Sequence, residues 1–174
     1  MQQAATDRCN DMDMQLAYER VSEHIGRTYR IDIDEIREID FLRFANAVGG
    51  DLSVTMDSDS AAMGLATITA PPLYLTAVSH WGWGPPETDL RSDGTSSEQL
   101  AEVPLEGLRL MGGGQSLQFY QPVVAGTSIT IETRVNDVQL KNGRSGQLLL
   151  IEVERMFLSD GKPVVRCIET FIGR

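Results

Sequence analysis

Proton transfer near neutral pH draws first on histidine, and this chain has two, His24 and His80. His80 is the next-to-last residue of the run LYLTAVSHW, which Trp81 closes, with Trp83 two residues on. It is either a general base or a histidine set favourably at a helix C-terminus. Asp51, directly after Gly49-Gly50, is the carboxylate candidate. Its other reading is a polar loop residue behind a helix, which is preferred where no histidine partners it. Gly112-Gly-Gly114 resembles a phosphate loop in composition, yet no Lys-Ser/Thr follows. A strand or turn that needs close backbone approach accounts for it better. Arg109, Lys141 and Arg144 form either a basic rim for a ligand phosphate or scattered surface charge. Tyr74, Trp81 and Trp83 line an apolar tunnel, cap an interface, or fill a core.

The totals narrow the class. A length of 174 residues points to one domain with a core that needs no staples. The net charge of −10 argues against a duplex-DNA footprint, which needs clustered Lys and Arg. Cys9 and Cys167 make no disulfide framework and no CxxC, so a reduced, cytoplasmic setting is expected. The polar, acidic start reads as no signal peptide, and no run approaches the roughly 18 apolar residues of a membrane span.

The positioning elements follow from periodicity. Residues 14–25 predict a helix with Leu16, Val21 and Ile25 on one side, ended by Gly26. Tyr29, Ile31 and Ile33 alternate with polar residues, predicting a short strand over 28–33. Residues 34–48 predict a helix carrying Ile36, Ile39, Phe41, Leu42, Ala45 and Val48, stopped by Gly49-Gly50. Pro71-Pro72 suit a first helical turn, so 71–80 is expected to be a buried central helix. Residues 82–106 are long for a plain loop and read as a lid or a partner-facing excursion. Strands are expected at 115–121, 127–139, 147–158 and 163–172, with Asp160-Gly161 as a tight hairpin turn. Helices early and antiparallel strands late predict an α+β fold, a helix against a curled antiparallel sheet.

The run Phe44-Ala-Asn-Ala-Val-Gly-Gly-Asp51, then Ala70-Pro-Pro72, Gly107-Leu-Arg-Leu-Met-Gly-Gly-Gly-Gln115, and Phe119-Tyr-Gln-Pro122 with Gly126, resembles the MaoC-like (FAS1-like) dehydratase N-terminal domain. Lys141-Asn-Gly-Arg-Ser-Gly-Gln147 and Glu169-Thr170 continue the resemblance, which spans residues 26–174 as one domain behind an N-terminal extension, 1–25. It implies a hot-dog fold, a central helix wrapped by antiparallel sheet, that pairs with a second copy or a related subunit. It also implies acyl thioesters of coenzyme A or acyl carrier protein as ligands. Water is added or removed across the 2,3-double bond, with no metal or redox cofactor and neither nucleic acid nor membrane as partner. Tyr74, Trp81, Trp83, Arg109, Gly113, Lys141 and Arg144 are then the candidate acyl and coenzyme A contacts, and Asp51 and His80 the candidate catalytic groups.

The resemblance breaks where the chemistry sits. In active MaoC-like hydratases an Asp and a His share a Gly-Asp-x-Asn-Pro-x-His loop. Here Gly50-Asp51 match, but Ser53, Val54 and Met56 stand for the Asn, Pro and His. A thioether carries no titratable proton, so Met56 is neither acid nor base. Active members place His-Gly at the start of the central helix, where backbone N–H groups polarise the thioester. Pro71-Pro72 stand there instead and supply no N–H. The expected function is therefore a non-catalytic, acyl-binding subunit of an enoyl-CoA hydratase or 3-hydroxyacyl-CoA dehydratase. The alternatives are a self-sufficient hot-dog hydratase or thioesterase using Asp51 or His80, and an acyl-binding module without catalysis.

Overall fold

A computed structural model describes residues 14–33, 35–50, 68–78, 87–90, 103–144 and 146–174. Alternating apolar residues in the C-terminal half form four long strands: β2 (Leu110–Phe119), β3 (Ile129–Gly143), β4 (Gly146–Ser159) and β5 (Lys162–Gly173). With β1 (Thr28–Ile33) they make one five-stranded sheet in the order β1-β3-β4-β5-β2, every neighbouring pair antiparallel. The β4–β5 turn is the one that Asp160-Gly161 predicts. Both residues take positive φ, 48° and 72°, matching the right-handed twist of the flanking strands. The shifts of register in β2, β3 and the β4–β5 pair bend the sheet into its curl.

Only one face of the sheet is buried. Along β4 the buried positions are Leu149, Ile151, Val153, Arg155 and Phe157, every second residue. Their neighbours on β3 and β5 split into two apolar clusters. The first gathers Ile129, Ile131, Phe157 and Val165 under two helices, α2 (Glu38–Ala47) and α3 (Tyr74–Val78). The second gathers Val135, Val138, Leu149 and Ile151 with Val21 of helix α1, residues 14–22. Each large side chain so buried contributes about 1.5–3 kcal/mol.

Helix faces differ in detail from the sequence expectation. In α1 the buried residues are Met14, Ala17 and Val21, whereas Leu16 and Ile25 stay 55% and 44% exposed. The helix ends at residue 22, and Gly26 (φ 81°) instead donates its N–H to the Val135 carbonyl, which sets the chain onto the sheet edge. α2 buries Phe41, Phe44 and Ala45 and leaves Ile39 and Val48 exposed. Gly49, at φ 68°, and the Gly50 N–H bond to the Ala45 carbonyl close it.

The expected central helix begins later than residue 71. Leu73 takes φ 67°, which breaks the helix on its N-terminal side, so the prolines precede the helix and do not form its first turn. Residues 79 and 80 lie outside the described residues. The segment ahead of α3 is held by the Ala70 N–H to Val123 carbonyl bond at 2.7 Å. Among the described residues no helix is long and apolar enough to cross a membrane.

Candidate functional site

Among the described residues β2 has a strand neighbour on one side only, β5, so it is one of the two edges of the sheet, with β1 at the other. Its inward-facing residues meet the start of α3 and form a cleft there. Pro71, Leu73, Leu75, Leu117, Phe119 and Val165 supply its apolar walls. The cleft is open on one side, with a volume of about 60 Å³. Phe119, 58% exposed, and Leu73, 44% exposed, stand at the mouth. Thr76 and Gln121 are the polar side chains of the lining, and the Thr76 hydroxyl already donates to the Leu73 carbonyl at 2.8 Å. Among the described residues the lining holds no ionisable group.

A second polar feature lies on the same inner face. Arg155 occupies an apolar-phase position of β4 and is only 4% exposed. It donates to the Glu169 carboxylate on β5, and Thr133, also buried, stands opposite it on β3. The Arg155 guanidinium lies 6.0 Å from the centre of the Phe171 ring, within cation–π reach. Burial lowers the Arg155 pKa and raises that of the neighbouring Cys167 thiol, and the charge of each partly offsets the shift of the other. This row separates the two apolar clusters.

The structure distributes the sequence candidates widely. Tyr74 is buried, with its ring edge-on to Phe41 at 4.8 Å and to Phe44 at 5.5 Å. Burial first, then the charge of Asp40, pushes its phenol up to about 12, with Arg37 acting against them. The next two residues of α3, Leu75 and Thr76, line the cleft instead. Gly113 lies in the β2 bulge, where an added Cβ would come 3.0 Å from the Thr170 carbonyl oxygen. Arg109 is exposed at the start of β2, its backbone paired with Arg174. Lys141 and Arg144 are exposed at the β3–β4 turn, at that same end of the sheet. At about 3.3 Å per residue, Arg109 is about 33 Å along β2 from Phe119, so these cations and the cleft occupy opposite ends. Asp51, Met56, His80, Trp81 and Trp83 lie outside the described residues.

Two sets of residues were missed from sequence. Leu117 and Phe119 share a phase with the cleft, but their exposure depends on which strand is the edge. Arg155 carried a readable signal, a charge on the apolar phase of Leu149, Ile151, Val153 and Phe157.

Residues 23–167 match the family model of the FAS1-like dehydratase domain region. The chain belongs to this family. Its fold is shared with the ChsH1–ChsH2 complex from Mycobacterium tuberculosis, at TM-score 0.66 and 14% identity over 92% of this chain and 90% of that one. The C-terminally truncated HadBC (3R-hydroxyacyl-ACP dehydratase) complex from the same organism gives TM-score 0.60 and 19% identity, covering 86% and 96%. The (R)-hydratase from A. caviae gives 0.57 and 15%, covering 84% and 94%. At these identities the likeness is one of fold, and that fold is the hot-dog. No curated protein matches the chain by sequence. The FAS1-like dehydratase region thus runs from β1 to the middle of β5 and includes the residues of the cleft and Arg155, while Glu169 lies two residues beyond its end.

Proposed function

We propose that this chain is the acyl-binding, non-catalytic subunit of an enoyl-CoA hydratase or 3-hydroxyacyl-CoA dehydratase, and that a related hot-dog subunit carries the acid–base groups. One observation supports this above the others: among the described residues, an apolar cleft with no ionisable lining opens onto an edge strand, β2, that has no further strand beside it. Hydration adds a water oxygen to C3 and a proton to C2 of the enoyl thioester. It needs an acid–base pair within hydrogen-bond reach and N–H donors for the enolate oxygen. The described lining has no acid–base pair, and the start of α3 is poor in free donors. Pro71 and Pro72 have no N–H, and the Tyr74 N–H is taken by the Pro71 carbonyl at 3.1 Å.

The same edge provides the place for a partner. Met111, Phe119 and Tyr120 expose 41%, 58% and 47% of their surface along or just after β2. An unpaired, apolar edge strand is a template for another sheet, and covering it removes that liability. A partner hot-dog docked there would bring its acid and base to the cleft mouth. ChsH1–ChsH2 and HadBC are complexes, which agrees with an assembly of two kinds of subunit.

The test is enoyl-CoA hydration by the purified chain, alone and mixed with a catalytic MaoC-like subunit. The chain alone is expected to show negligible turnover, and the mixture to be active. Full activity of the chain alone would overturn the reading and favour a self-sufficient enzyme built on Asp51 or His80.

A further inference from the structure

The cleft and the buried Arg155–Glu169 row lie along one continuous line. Inward-facing residues of β2 run Phe119, Leu117, Gln115, and those of β5 run Val165, Cys167, Glu169, paired in that order. Successive residues on one face are about 6.6 Å apart, so Gln115 and Glu169 stand about 13 Å from the cleft mouth at Phe119. Phe119 and Gln115 are exposed and Leu117 half-buried, so this face of β2 is open along the line. The cleft lining itself ends at Leu117 and Val165, and the next inward-facing pair along the register of β2 and β5 beyond Leu117 and Cys167 is the polar one, Gln115 and Glu169.

The chemistry of that pair is specific. One Glu169 oxygen, Oε2, accepts from Arg155 Nη1. Among the described residues the other, Oε1, accepts no hydrogen bond. A carboxylate paired with a guanidinium accepts and does not donate, so its ligand must donate. The ion pair is neutral as a unit, which favours an uncharged donor over a cation. Gln115 stands opposite Glu169 with its amide oxygen accepting from the Cys167 thiol at 4.0 Å, which leaves its amide N–H groups to bond the oxygen of the same group. A hydroxyl meets all three conditions, whereas a methyl or ketone terminus does not. As scaffolding the pair is dispensable, because hydrophobic residues hold such a position equally well.

We propose that Glu169, fixed by Arg155 and joined by Gln115, is the specificity-determining group that selects a hydroxyl on the far part of the bound acyl chain. This rests on the acyl-binding reading above. The experiment measures Kd of the full chain for acyl-CoAs from butanoyl to dodecanoyl, each with and without a terminal hydroxyl. The hydroxylated member is expected to bind about ten- to hundredfold tighter at the chain length that reaches Glu169. Gln115→Leu should narrow that preference. The double substitution Arg155→Met with Glu169→Leu, which removes both charges and keeps the fold, should abolish it while plain acyl-CoAs still bind. Plain acyl-CoAs that bind with no hydroxyl preference at any length would overturn this proposal alone. A preference that survives the double substitution would do the same. Binding of no acyl-CoA at all would overturn the acyl-binding reading on which it rests.

Discussion

Replacing Glu169 by Leu takes from Arg155 the carboxylate on the adjacent strand. Arg155 keeps 5% and Glu169 16% of their side-chain surface exposed. Breaking a buried pair costs about 3–5 kcal/mol, and the residual exposure of Glu169 puts this site at the lower end, about 3 kcal/mol. For a chain of this size about 1 kcal/mol moves Tm by about 2–4 °C, so a drop of roughly 6–12 °C is expected. Arg155→Met leaves the better solvated partner behind and should cost less. The double substitution restores charge balance and fills the space with apolar atoms, so it should lie within about 1 kcal/mol of the parent or above it. Thermal and urea unfolding of the four proteins gives the coupling directly. If the two single losses simply add in the double variant, the side chains are not coupled and the reasoning fails.

Three further outcomes follow from the structure. The Tyr74 phenol is raised in the folded state, so its contribution to stability is complete below its ordinary pKa of about 10 and is lost as pH rises through about 12; Tyr74→Phe should flatten that alkaline fall, and an unchanged fall in urea titrations would contradict it. Phe119→Asp lies at an exposed position, so it should leave Tm nearly unchanged while abolishing association in light scattering with the partner subunit; retained assembly would move the interface away from β2. Gly113→Val sets a Cβ 3.0 Å from the Thr170 carbonyl oxygen and should cost about 1–3 kcal/mol by denaturant unfolding, and a neutral result would show that the bulge can shift.

The strands were legible because turn chemistry and alternation agree. Asp160-Gly161 tolerates positive φ and stops β4 and β5 within a residue or two of the expected bounds. β2 starts at Leu110 and not at 115, because three glycines read as a break where the chain carries a bulge within the strand. The α1 face was read only in part: Val21 is buried as expected, but tertiary packing buries Met14 and Ala17 beside it and leaves Leu16 and Ile25 exposed. The late start of α3 depends on Leu73 at φ 67°, a conformation that a leucine does not announce. The cleft was hidden for a similar reason. Leu117 and Phe119 are ordinary strand residues until the sheet order makes β2 an edge. For Tyr74 the sequence left tunnel lining, interface and core packing open, and its ring packs in the core against Phe41 and Phe44, while Leu75 and Thr76 line the cleft.

The most direct measurement locates the acid–base groups in an assembled enzyme. A complex of this chain with a catalytic MaoC-like subunit is assayed for enoyl-CoA hydration after one substitution at a time. Asp51→Ala and His80→Ala in this chain should each retain most of the turnover, while alanine in place of the partner's loop histidine should lower it by about 10²–10⁴-fold. A comparable collapse on His80→Ala or Asp51→Ala, with the partner's histidine dispensable, would place the chemistry in this chain and contradict the account.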